Sequence, residues 1–144
     1  MDDCDVGEFP VGTLFEFSLD YAPVPLARPR MGKGKRVYDS QKHTKLAMGL
    51  CLMNQFDKEP ITQPIELGLV FYMPIPSSKL KIMKKCHTML HACRPDLSNL
   101  IKMIEDVMVD CLILKDDSQV AIIHAEKRLH MDRNPSIDIT VKIR

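Results

Sequence analysis

Three segments of the chain alternate with the two-residue period of a strand. From Leu14 to Asp20, Phe15, Phe17 and Leu19 fall on one side, and Glu16, Ser18 and Asp20 on the other. From Ile65 to Met73, Ile65, Leu67, Leu69, Phe71 and Met73 share a face. Val70 and Tyr72 opposite them predict a strand covered on both sides toward its end. From Ser136 to Ile143, Ile137, Ile139, Val141 and Ile143 alternate with Asp138, Thr140 and Lys142. A fourth strand is expected over Gln119 to Lys127. The connection Met131-Asp132-Arg133-Asn134-Pro135 predicts that it pairs antiparallel with the last one.

Helical spacing is clearest after Pro95. Leu97, Leu100, Ile101, Ile104, Val107, Met108 and Cys111 recur three and four apart as a buried stripe, and Ser98, Lys102, Glu105 and Asp106 share the opposite side. Asp96 falls at the N-cap, where its carboxylate is expected to accept backbone N–H bonds. A second helix is expected from a cap at Asp39 or Ser40 to about Phe56. Its stripe is expected to be Leu46, Leu50 and Met53, with Ala47 and Cys51 beside it and Lys42 and Lys45 outside. Together these predict one α+β domain over 1–144, a small mixed sheet of about four strands with two main helices. Residues 1–12 are expected to fray. Residues 77–93 fit a helix poorly and are expected to form a mobile basic flap.

The chain has 144 residues, 45% of them hydrophobic and 27% charged, enough for one globular core. No apolar run approaches the roughly 20 residues of a membrane span, and the first five residues are acidic where a signal peptide is basic. Five cysteines without a pairing pattern argue against a disulfide framework, so a reducing cytoplasm is expected. The net charge of +1 conceals an asymmetry. Residues 1–20 carry −6, residues 21–95 carry +9 and residues 96–144 carry −2. A basic middle joined to an acidic last third suits a protein that attracts phosphates with one surface and binds metal with another.

The basic charge is concentrated in two places. Arg28, Arg30, Lys33, Lys35 and Arg36 lie within nine residues of a Pro- and Gly-containing loop, and Lys79, Lys81, Lys84 and Lys85 lie in the flap. Such segments can run along a phosphate backbone, although a charge run of this kind is as often a solvated face. Asp96 alone is most often a helix cap, and Asp116-Asp117 alone a turn before a strand. Together they gain weight, because a helix N-terminus and a strand start can converge at one rim of a sheet. Two carboxylates 4 Å apart repel by roughly 4 kcal/mol at an effective dielectric of 20, so such a cluster suits a cation. Phosphodiester hydrolysis uses Mg²⁺ held by a few carboxylates, and Lys102 beside it would stabilise the phosphate. Cys86, His87, His91 and Cys93 could be a zinc module, but their spacing matches no usual structural zinc pattern.

On these residues the sequence resembles the RusA family of Holliday-junction resolvases, found in bacteria and their phages. The resemblance rests on Pro25-Leu26-Ala27-Arg28-Pro29-Arg30 with Arg36-Val37-Tyr38, on Met73-Pro74-Ile75-Pro76-Ser77, and on His91 before the main motif. It rests most on Arg94-Pro95-Asp96-Leu97-Ser98-Asn99-Leu100 with Lys102, followed by Lys115-Asp116-Asp117-Ser118-Gln119-Val120. The resemblance implies a small α+β homodimer that binds four-way DNA junctions and nicks paired strands with Mg²⁺ or Mn²⁺, in recombination and repair. It implies Asp96 and Asp117 as metal-binding catalytic acids, Asp116 as a supporting acid, Lys102 as the catalytic lysine and Arg94 among the DNA contacts. The family's second aspartate in Asp-x-Asp-Asn is Ser98 here, an oxygen donor without charge. Glu105 stands ~10 Å along the helix from Ser98, too far for simple replacement. A variant active site, a weak enzyme and a junction binder without cleavage all remain open.

Overall fold

The computed structural model describes residues 8–27, 30–31, 37–38 and 40–144. Its centre is a five-stranded mixed sheet made of β1 (Leu14–Leu19), β4 (Ile65–Tyr72), β5 (Thr88–Leu90), β6 (Val120–His130) and β7 (Ser136–Ile143). The spatial order is β1-β7-β4-β6-β5. A separate two-stranded ribbon pairs β2 (Arg30–Met31) with β3 (Val37–Tyr38). The helices are α1 (Lys42–Met53), α2 (Leu80–Cys86) and α3 (Leu97–Asp110).

The period-two pattern explains which side of the sheet is covered. Phe17, Leu19, Ile65, Leu67, Leu69, Phe71, Ile137, Ile139, Val141 and Ile143 are buried. They form one core with Met48 and Leu52 of α1 and Leu100, Met103, Ile104, Val107 and Met108 of α3. At about 1.5–3 kcal/mol per fully buried large apolar side chain, this single layer of helix on sheet is the main source of stability. Gly49 permits the two helices to close on each other, since a Cβ there would stand 3.2 Å from Cys111 Cβ. The opposite face carries Glu66, Val70, Tyr72, Asp138, Thr140 and Lys142, with no helix over it among the described residues. The cover expected over Tyr72 is the Arg133 guanidinium, 4.1 Å from the ring centre.

Several expectations are corrected. Among the described residues the sheet has five strands where about four were expected, and a short third α-helix joins the two main ones. β6 does not pair with β7. It runs parallel to β4, which separates the two, while β7 pairs antiparallel with both β4 and β1. The stripe expected to be buried in α1 is the exposed one. Leu46, Leu50 and Met53 are 59%, 53% and 49% exposed, while Met48, Gly49 and Leu52 face the core. Residue 41, not 39 or 40, stands at the N-cap of α1, without a side-chain cap bond, and the helix stops at Met53.

The segment expected to form a flap has regular structure: a 3-10 turn over Ser77–Lys79, then α2, then β5. Met83 anchors it in the core, and β5 pairs antiparallel with His130, Leu129 and Arg128. Of the residues expected to fray, Phe9 exchanges two hydrogen bonds with the Gln63 side chain, and Gly12 N–H donates to Ile143 O.

Candidate active site on the third helix and the turn before the sixth strand

Two parts of the chain carry the candidate residues: the start of α3, with Asp96, and the turn before β6, which packs on the same helix. Asp96 is the N-cap, extended at φ −67° and ψ 137°, and its main-chain oxygen accepts from Asn99 and Leu100 N–H. Its carboxylate, expected to cap the helix, makes no cap hydrogen bond. The charge is therefore not consumed by the helix end. Asp96 lines a surface cleft with Pro25, Leu26, Arg94, Pro95 and Asn99. Leu26 N–H donates to Asn99 O. Gln41 at the start of α1 clamps the same stretch, accepting from Ala27 N–H and donating to Pro25 O. The entry to the basic Arg-Pro-Arg segment is thus fixed beside Asp96.

The second part is the turn before β6. Asp116 is the N-cap of a 3-10 turn over Asp117–Gln119. Its carboxylate accepts from Ser118 N–H, and the Gln119 side chain accepts from Asp116 N–H in return. Bonding to Ser118 holds the Asp116 carboxyl below its ordinary range. The Gln119 amide also donates to Ile61 O at 2.7 Å and Gln63 O at 3.0 Å. One side chain therefore ties the turn to the approach to β4. The sequence reading gave Gln119 no role of its own.

The turn packs against α3. Burial and then the neighbouring charges of Asp117 and Asp106 push the Glu105 carboxyl above its ordinary range, and Lys102 opposes the rise. Asp117, Glu105 and Lys102 thus share one electrostatic neighbourhood. Asp106 is turned toward α1, 3.4 Å from Lys45 Nζ, and does not take the place of the missing aspartate. Ser98 and Lys102 are exposed on the outward side of α3.

Among the described residues, no three His, Cys, Asp or Glu side chains form a ready metal cage. Cys86, His87, His91 and Cys93 are among the residues not gathered into such a group. His91 has a buried Nδ1 without a partner, and burial, then the Lys127 charge, lowers its pKa. A hard cation needs less, since Mg²⁺ takes one or two carboxylates with the rest water and phosphate. Asp96, whose carboxylate does not cap the helix, and Asp117, in the turn that packs on α3, are carboxylates of the kind that oxygen-only chemistry uses.

Of the expected DNA contacts, Arg28, Lys33, Lys35 and Arg36 lie outside the described residues, and Arg30 lies in β2. Lys81, Lys84 and Lys85 are exposed on α2, Lys79 is less so in the turn before it, and Arg94 is exposed at the Asp96 cleft. No helix among the described residues is long and apolar enough to cross a membrane.

Comparison with known proteins agrees with the motif. The model of the family described as Endodeoxyribonuclease RusA matches residues 20–142. The chain is also 29% identical over 133 residues to the crossover junction endodeoxyribonuclease rusA of Lactococcus phage r1t, covering 88% of this chain and 97% of that protein. With the family's model spanning nearly its whole length, this chain belongs to the RusA endodeoxyribonuclease family.

Proposed function

We propose that this protein is a structure-specific endonuclease that resolves four-way DNA junctions by metal-dependent phosphodiester hydrolysis, in recombination and repair. The observation that carries the reading is the family match over residues 20–142, and the packing of the turn that bears Asp117 on the helix that Asp96 begins supports it. Asp96 and Asp117 would hold Mg²⁺ or Mn²⁺, with Ser98 as a neutral oxygen donor and Asp116 fixing the turn. When bound, the ion would supply Lewis-acid polarisation of the phosphate and activation of the attacking water. Lys102, exposed on the same helix, would supply a cation to the negative charge that grows on the phosphate. Arg94 at the cleft, the Arg28–Arg36 segment and the lysines of α2 would hold the DNA backbone. These contacts position a duplex without reading its sequence.

A two-fold junction suits a two-fold protein, and a homodimer belongs to this reading. The exposed stripe Leu46, Leu50 and Met53 supports it. The stripe borders a groove of about 210 Å³ that Lys42 and Asp110 also line. In an isologous contact, those opposite charges can pair across the two copies.

The second reading, a junction binder without cleavage, is favoured by Ser98 alone. A cleavage assay on a four-way junction with Mg²⁺ separates the two. The native protein is expected to bind and cut, and Asp117→Asn to bind without cutting. Ser98→Asp is expected to cut at least as fast as the native chain. Binding without cutting by the native protein, with cutting gained in Ser98→Asp, would establish the binder. Failure to bind any branched DNA at low salt would remove both readings.

A further inference from the structure

Lys127 is a cation on the covered side of the sheet. Its register partner is the buried Phe71, and the next residue of β6 on that side is the buried Leu129. A lysine here needs a local reason, because a desolvated ammonium is costly unless its hydrogens are bonded. The reason is the main chain that leads into α3. Lys127 Nζ donates to Cys93 O and to Pro95 O, both at 2.6 Å. The backbone of the same residue accepts from His91 N–H at 2.9 Å. One residue of β6 therefore holds the link from 91 to 95 at three points, and the next residue after that link is Asp96. From the other side, the bond from Leu26 N–H to Asn99 O closes on the first turn of the helix.

We infer that Lys127 is a positioning residue for Asp96: its ammonium fixes the Cys93–Pro95 carbonyls and so determines where the Asp96 carboxylate stands. Its consequence for catalysis rests on the endonuclease reading; the positioning itself does not. The ammonium has the two short charged bonds that a neutral side chain of the same length cannot supply. Methionine at this position would leave both carbonyls without their donor, the Pro95 carbonyl in a partly buried place and the Cys93 carbonyl open to water. The link would then loosen, and Asp96 would lose its fixed place at the start of α3. Groups that orient a metal-binding carboxylate commonly govern affinity or rate by about 10–100-fold.

The test compares the native chain with Lys127→Met and Lys127→Arg by three measurements. Single-turnover cleavage of a four-way junction at saturating protein is expected to slow by about 10–100-fold in Lys127→Met, and the Mg²⁺ concentration for half-maximal rate to rise about tenfold or more. Junction affinity is expected to stay the same. Amide hydrogen exchange is expected to quicken at Asn99 and Leu100, whose N–H groups bond to Asp96 O, while β4 and β7 keep their protection. Lys127→Arg, which can bridge both carbonyls, is expected to recover part of the rate and most of the protection. If Lys127→Met does not fold, Lys127→Gln takes its place in all three.

Unchanged exchange at the start of α3 together with an unchanged Mg²⁺ midpoint would overturn the inference. So would a loss of junction affinity in proportion to the loss of rate, because Lys127 would then be a DNA contact. If the native protein never cuts, the endonuclease reading fails by itself. The exchange measurement then decides the positioning claim alone.

Discussion

Gln119 offers a test of how the turn bearing Asp117 is held. Its side chain makes three hydrogen bonds: it accepts from Asp116 N–H at 2.8 Å and donates to Ile61 O at 2.7 Å and Gln63 O at 3.0 Å. Gln119→Met keeps the side-chain length and removes all three. At about 1 kcal/mol net for each bond, the loss is about 3 kcal/mol, reduced toward about 2 where water reaches the exposed Asp116 N–H. For a domain of this size that lowers the melting temperature by roughly 5–10 °C. Urea denaturation of the two proteins measures it directly, and junction cleavage should fall with it as Asp117 loses its support.

Gln119→Glu provides an internal control. A carboxylate can still accept from Asp116 N–H, but it faces the Ile61 and Gln63 carbonyls without a hydrogen to give. At neutral pH it should destabilise at least as much as methionine, and part of the loss should return in acid as the carboxyl is protonated. A change below about 0.5 kcal/mol for Gln119→Met, within the range of an ordinary surface substitution, would refute this account of the turn.

Two further outcomes follow from the same geometry. Burial and the Asp117 charge raise the Glu105 pKa, so its favourable contribution is full below the unfolded carboxyl range and is lost as pH rises through the folded value. Without divalent metal, Glu105→Gln should therefore gain stability relative to the native protein as pH goes from about 4 to 7, and a fall in that difference would contradict the assignment. Leu50→Glu, placed on a stripe already exposed, should leave the monomer's stability to unfolding within about 0.5 kcal/mol of native. It should convert a dimer to monomers in sedimentation velocity, and an unchanged dimer would place the contact elsewhere.

β1, β4, β7 and α3 were legible because each has its main apolar set on a single face. The inward sets of β1, β4 and β7 are those their alternation predicts, and Leu100, Ile104, Val107 and Met108 of α3 are buried as its spacing requires. α1 was not legible in the same way. From Leu46 to Met53 every residue is apolar or glycine, so periodicity cannot choose a face. The choice is made by packing, where Gly49 lets Cys111 approach.

The short link between β6 and β7 resembles a hairpin, and only the insertion of β4, more than fifty residues earlier in the chain, shows otherwise. Asp96 and Asp117 stood out as motif acids. Gln119 stood in the motif without a role and Lys127 outside it, because both donate to main-chain carbonyls of distant segments, which leave no trace in residue type. The basic α2 was missed as a helix because only Met83 anchors it, one contact where a stripe would normally be seen.

The place of β7 bears on how the chain is made. β1 has β7 as its only strand partner among the described residues, and Leu14 pairs with Lys142. During synthesis the first strand leaves the ribosome with its backbone groups unpaired and with Phe17 and Leu19 uncovered by β7. It stays so until residues 136–143 have emerged. Closure of the sheet is therefore a late event of long sequence separation, the kind that slows folding and exposes apolar strand edges meanwhile. A ribosome stalled before residue 136 would hold a nascent chain whose first strand is open to any chaperone that binds extended apolar segments.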